Sequence, residues 1–223
     1  MFEAIGELLP LAVGVSISPL PIIAMIVLLM SPQARLTAPV FLVGWLAAIV
    51  GALLLFSWLS DLGLGSGGKG HGAAMVKLVV GVLLLGLAWH EWRVRPAPGE
   101  VATLPHWLAA VEHMGPLAAA GLGFGIYAAN PKNLTVGMAA GISFGAHHLP
   151  PGQTIFTVII YLLIAAVTIW LPILGYFLAE RRVRPWLDEM RVWLTQHNAA
   201  VMAVLLLVIG AMMSGKGIAA LAP

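Results

Sequence analysis

The chain has no cysteine and very little charge. Without thiols there is no disulfide, no thiolate metal site and no thiol relay. Only 9% of its 223 residues are charged, against roughly 25% in a soluble domain. Residues 8–34, 36–60 and 133–179 contain no Asp, Glu, Lys or Arg at all. The net charge of +2 and pI near 9.2 reflect this scarcity rather than a basic face, so no nucleic-acid partner is expected. No metal-ligand cluster or Ser/His/Asp arrangement lies within the apolar runs, so no cofactor, no metal and no enzymatic activity are expected. His147 and His148 have no acid close by in sequence to complete a metal site. The chain opens with Glu3 and Glu7 rather than lysines, which reads as a retained helix and not a cleavable signal.

What remains is apolar: 61% hydrophobic, with mean hydropathy +0.99. A membrane-spanning helix needs about 20 mostly apolar residues. The chain therefore reads as an all-α membrane protein, a single transmembrane domain over 1–223. Six spans are predicted, at about 8–30, 38–60, 72–91, 116–143, 154–179 and 198–217. Pro39 fits the first turn of the second span, and a glycine-rich turn runs from Gly63 to Gly72. Lys77, near the start of the third, is placed to snorkel towards an interface.

The loops after the first, third and fifth spans hold Arg35, Arg93, Arg95, Arg181, Arg182, Arg184 and Arg191. The opposite side holds only Lys69, Lys77 and Lys216. That imbalance predicts cytoplasmic arginine loops and both termini outside. Residues 181–197, with Trp186, Met190, Trp193 and Leu194 at helical spacing, read as an interfacial helix. Residues 103–114, with Trp107, Leu108 and Val111, read as a weaker one. Either anchors the fold or gathers lipid or anionic substrate.

Two of the apolar runs are interrupted at their centres, by Ser18-Pro19-Leu20-Pro21 and by Asn130-Pro131-Lys132-Asn133. An interior proline costs a helix roughly 3 kcal/mol, and a lysine at membrane depth about 2.5–3.5 kcal/mol. Pro19 and Pro21 cannot donate to the carbonyls of Val15 and Ile17, nor Pro131 to that of Tyr127. Past each break a half-helix starts with unpaired N–H groups, for which Ser18 and Asn130 are suitable caps. Two such ends with the Lys132 ammonium beside them favour an anion. The plainer alternative is a pair of kinks, with the asparagines paired across a helix interface and Lys132 neutralised by a carbonyl or carboxylate. Asp61 and Glu91, at span ends, are candidate partner or coupling acids, together with Glu3 and Glu7.

The halves 1–100 and 101–223 repeat one plan: a broken helix, a helix uninterrupted in its central turns, and a third opening with a similar phrase. His71-Gly72-Ala73-Ala74 corresponds to His197-Asn198-Ala199-Ala200. Three helices is an odd number, so a repeated half enters the membrane inverted, with its site near the midplane where the broken helices meet. Gly121, Gly125 and Ala129, and again Gly137, Gly141 and Gly145, form small-residue ridges for close helix packing, within the chain or in a homodimer.

The phrases Ile17-Ser18-Pro19-Leu20-Pro21-Ile22-Ile23, Ser31-Pro32-Gln33-Ala34-Arg35, and Gly123-Phe124-Gly125 leading to Asn130-Pro131-Lys132-Asn133-Leu134 resemble the GAP family. These are the glycopeptidolipid- or sulfolipid-addressing-like proteins of actinobacteria, within the lysine-exporter (LysE) superfamily. The resemblance covers essentially the whole chain. It implies six helices in two inverted three-helix repeats, a place in the bacterial cytoplasmic membrane, and export by alternating access. It also implies a site lined by Ser18, Pro19, Pro21, Asn130, Pro131, Lys132 and Asn133. Related thiol-disulfide carriers place a cysteine beside each proline, where this chain has Leu20 and no cysteine anywhere. The expected cargo is an anionic small molecule or an envelope (glyco)lipid, with membrane lipids as partners. The alternatives are an amino-acid-type exporter and a non-transporting scaffold for envelope-lipid machinery.

Overall fold

The prolines fix where the first helix breaks. In the computed structural model, which describes residues 1–61, 71–96, 107–111 and 113–221, α1 (Phe2–Ser16) and α2 (Pro19–Met30) meet at a bend of 58°. Proline disfavours helical dihedrals in the residue before it, and Ser18 is accordingly extended at φ −127°, ψ 101°. The second break repeats this chemistry: Asn130 is extended between α6 (Pro116–Ala128) and α7 (Pro131–Ala146). The remaining helices are α3 (Ala34–Asp61), α4 (His71–Arg93), the short α5 (Trp107–Val111), α8 (Pro151–Ala165) and α9 (Val167–Leu221). No strand occurs among the described residues. By length and hydropathy α3 and α9 can each cross a membrane, as can the bent pair α1–α2 taken as one span. α6 and α8 are shorter apolar helices.

Several boundaries differ from the sequence reading. α3 begins at Ala34, which puts Pro39 beyond its first turn. The predicted fifth span, 154–179, is interrupted at Ala166 (φ −107°, ψ 10°), where α8 ends. The Trp170 indole N–H closes that gap by donating to the Leu163 carbonyl at 2.8 Å. The interfacial helix and the sixth span are one piece: past the non-helical Ala179, α9 runs on to Leu221. No Pro or Gly lies between Trp186 and Ile209 to stop it. Its inward stripe is Leu187 and Leu194, while Trp186 and Trp193 are exposed. In α5, Leu108 and Val111 are buried against the protein rather than lying on its surface. The Gly63–Gly72 turn and residues 103–106 fall largely or wholly outside the described residues, as do the side chains of Lys77, Trp107 and Lys216.

The halves pack by exchanging partners. α3 lies against α6 and α7, while α8 lies against α1 and α9 against α2. α4 runs along α9, and α1 meets α7. Glycine sets the closest approaches. A Cβ on Gly123 would sit 2.3 Å from the Phe41 carbonyl oxygen, and one on Gly44 2.0 Å from that of Ala120, so α3 and α6 touch backbone to backbone. Gly81 and Gly210 do the same for α4 and α9. Gly137, Gly141 and Gly145 are spent inside the chain, against Tyr127 of α6 and against Leu53, Phe56 and Ser57 of α3. Gly121 and Gly125 behave differently, because a Cβ there meets nothing within 4 Å.

This separation of glycines is testable. Gly123→Ala forces a methyl group into backbone and is expected to destabilise the fold by about 1–3 kcal/mol or more. Gly51→Ala, where the space is open, is expected to be neutral or slightly stabilising. Thermal unfolding of the purified variants in detergent checks both; equal midpoints would refute the α3–α6 contact.

Candidate functional site

Breaking α1 strips a row of backbone carbonyls of their helical partners, and in an apolar interior each needs a replacement. Side chains supply nearly all of them. The Lys132 ammonium donates to Gly14 O at 2.8 Å, Ile17 O at 2.7 Å and Ser18 Oγ at 2.7 Å. The Ser18 hydroxyl lies 2.9 Å from Val15 O and 3.1 Å from Asn133 Oδ1. Thr168 of α9 donates to Ser16 O at 2.6 Å, and Ser16 Oγ to Val13 O at 2.9 Å. Lys132 and Asn133 are fully buried and Ser18 nearly so. Hydrogen bonds to a charged group contribute about 1.5–3 kcal/mol each, so three outweigh an insertion cost of about 3 kcal/mol.

The second break is closed locally. Asn130 Oδ1 accepts from the backbone N–H groups of Lys132 (3.0 Å) and Asn133 (3.4 Å), and Tyr127 O accepts from Asn130 N–H. The sequence-predicted residues Ser18, Lys132 and Asn133 thus meet in one cluster, with Pro19 and Pro21 buried on α2 beside it. The polarity differs from the sequence reading, however. Lys132 meets the negative, C-terminal end of α1 rather than a pair of helix N-termini. Its three donors are occupied, and the first N–H groups of α7 are capped, so neither is open to an anion. Asn133 Nδ2 is left buried with no partner.

Asn130 and Pro131 face elsewhere. They line a cavity of about 510 Å³ together with Gly121, Gly125, Ala129, Leu20, Glu91, Asn198 and Met202. The first of the two ridges read as packing surfaces, Gly121, Gly125 and Ala129, therefore lines a groove. By contrast, the seam between α1 and α8 around Ala12 and Tyr161 holds no water-sized space. There Glu7 accepts from Ser143 Oγ at 2.5 Å and lies 3.3 Å from His147 Nε2, tying α1 to the end of α7. At the far end of the molecule Glu180 gathers Tyr176 (3.0 Å), Arg35 (3.6 Å) and Arg184 (3.8 Å). Thr168 and Asn198 carried no signal of these roles in the sequence. Glu91 was visible only as an acid at a span end.

The family model described as Sap, sulfolipid-1-addressing protein, matches residues 8–219. The match covers nearly all of the chain, which belongs to that family. No curated protein and no solved structure matches it.

Lys132→Met leaves Gly14 O and Ile17 O unpaired at about 1–3 kcal/mol each. A loss of roughly 3 kcal/mol in unfolding free energy is expected, against about 1 kcal/mol for Ser18→Ala. A Lys132→Met protein that unfolds with wild type would show that the ammonium is no staple.

Proposed function

We propose that this member of the sulfolipid-1-addressing family is a carrier that moves an envelope lipid out of the cytoplasm by alternating access. On this reading the halves 1–100 and 101–223 are inverted repeats. They supply six spans in the cytoplasmic membrane of a bacterium, in a LysE-like arrangement with both termini outside. The observation that carries it is the groove: Asn130 and Pro131 of the second break line it, while the seam between α1 and α8 holds no water-sized space. With the arginine loops cytoplasmic, the groove opens inward.

The shut half supports the same reading. Trp45 Nε1, Tyr127 Oη, Tyr161 Oη, Thr157 Oγ1 and Asn133 Nδ2 are all buried without partners. Native cores rarely tolerate several such groups. A path that closes dry and reopens wet accounts for them. Pro19, Pro21 and Pro131 then act as fixed bends about which the half-helices tilt. Ser18, Lys132 and Asn133 form the contact that parts when the outer side opens. The cost of breaking it is offset by solvating the orphaned groups.

A scaffold that assembles export machinery without transporting is the second reading, favoured by the family name, which speaks of addressing. Proteoliposomes with headgroup-labelled lipids separate the two. Wild type is expected to transfer label across the bilayer. Gly125→Leu, which fills the groove at a position with open space, is expected to slow transfer by about tenfold or more while unfolding normally. Wild-type vesicles no faster than empty ones would leave the scaffold.

A further inference from the structure

Five polar groups in the shut half can donate a hydrogen bond, and none has a partner among the described residues. Trp45 Nε1, Tyr127 Oη, Asn133 Nδ2, Thr157 Oγ1 and Tyr161 Oη are all buried and unbonded. Each of these residues is at most 2% exposed. Buried indole and phenol groups ordinarily find a partner.

The five are neighbours. The Trp45 ring of α3 meets the Tyr127 ring of α6 edge-on, with 5.3 Å between centroids. The Tyr127 hydroxyl lies against Gly137 of α7, where an added Cβ would be 2.6 Å from it. Asn133 precedes Gly137 by one turn on the same face of α7, and its Oδ1 is 3.1 Å from the Ser18 hydroxyl. Tyr161 of α8 is close enough to Tyr127 for the two phenols to interact electrostatically. Thr157, one turn from Tyr161, lines the α1–α8 seam with it. The row thus links the first break to the seam beside Leu8 and Ala12.

The fold itself offers these donors little. A buried water needs room and at least two polar partners, and the seam beside Thr157 and Tyr161 holds no water-sized space. Residues 8–60 and 113–179 contain no Asp or Glu, and Glu7, beside Leu8, is engaged by Ser143 and His147. The Trp45 N–H can only donate, while the three hydroxyls can donate or accept. A group rich in acceptor oxygens would satisfy all five.

We infer that Trp45, Tyr127, Asn133, Thr157 and Tyr161 form a headgroup passage that donates to an oxygen-rich headgroup when the seam opens. This rests on the carrier reading. Phosphate, sulfate and sugar oxygens share this chemistry, and a quaternary ammonium has none of it. The unpaired donors weaken the closed fold and are used by the ligand.

Tyr127→Phe, Thr157→Val and Tyr161→Phe each remove an unbonded hydroxyl and keep the shape around it. Losing an unpaired buried hydroxyl does not weaken a fold. The triple variant in detergent is therefore expected to unfold at the wild-type temperature or about 2–4 °C above it. Proteoliposomes then receive three lipids with the same fluorescent tail: phosphatidic acid, a glucosyl diacylglycerol and a dialkyldimethylammonium. Wild type is expected to transfer the first, the second or both at least about fivefold faster than the ammonium. The triple variant is expected to transfer them about tenfold more slowly than wild type. Transfer of phosphatidic acid identifies an anionic headgroup; transfer of the glucoside identifies a sugar. A triple variant that unfolds well below wild type shows that the hydroxyls have partners within the fold, which overturns the passage. Transfer by that variant at the wild-type rate also overturns it and leaves the carrier standing. Ammonium moved as fast as the other two overturns the headgroup chemistry. Wild type that moves none of the three overturns the carrier reading, and the passage with it.

Discussion

The carbonyl row at the end of α1 is the constraint from which the rest of the arrangement follows. Pro19 and Pro21 create it, and an apolar surrounding makes every unpaired member costly. Meeting that demand requires donors from distant sequence. Lys132 comes from α7 and Thr168 from α9, so the break in the first half is capped by the second. The contacts that satisfy the backbone are therefore the contacts that hold the halves together. A lysine that looks extravagant in an apolar helix is here the strongest donor available to a negative helix end.

Glycine divides into two uses that composition alone does not separate. Gly44, Gly123, Gly81 and Gly210 permit backbones to touch, and their Cβ positions are already occupied by neighbouring atoms. Gly121 and Gly125 sit on α6 within one turn of Gly123, yet they border empty space. One face of α6 is thus fixed to α3 while the adjacent face forms a groove wall. Helical rotation of about 100° per residue carries one short sequence across both environments.

Much of this was legible from the chain. The breaks at Ser18-Pro19 and Asn130-Pro131 were readable because proline acts locally, through a missing N–H and a steric clash. The meeting of Ser18 with Lys132 and Asn133 followed from treating the breaks as equivalent. What sequence did not reveal was which end of a half-helix the ammonium would meet, since that depends on the relative translation of α1 and α7. The continuity of α9 through His197 was hidden for another reason. Trp186 to Leu194 is amphipathic enough to read as a surface helix, but no residue there forces a stop. The interruption at Ala166 carries no proline at the break itself, and it appears only once Thr168 is seen reaching for Ser16. Glu91 and Asn198 were invisible as a pair because they lie on different helices.

The unbroken run of α9 beyond Ala179 has a mechanical consequence. At 1.5 Å per residue it is a rod of about 60 Å, bent at one end where Ala179 leaves helical geometry. Further along, Gly210 presses it against Gly81 with no room to slide inward. Between the bend and the glycine crossing lie Asn198 and Met202, which line the groove. The same rod thus joins the arginine-rich end near Met30, the groove wall and the glycine crossing in one continuous helix. The tilt of one rigid helix therefore fixes the position of Asn198 relative to both its ends.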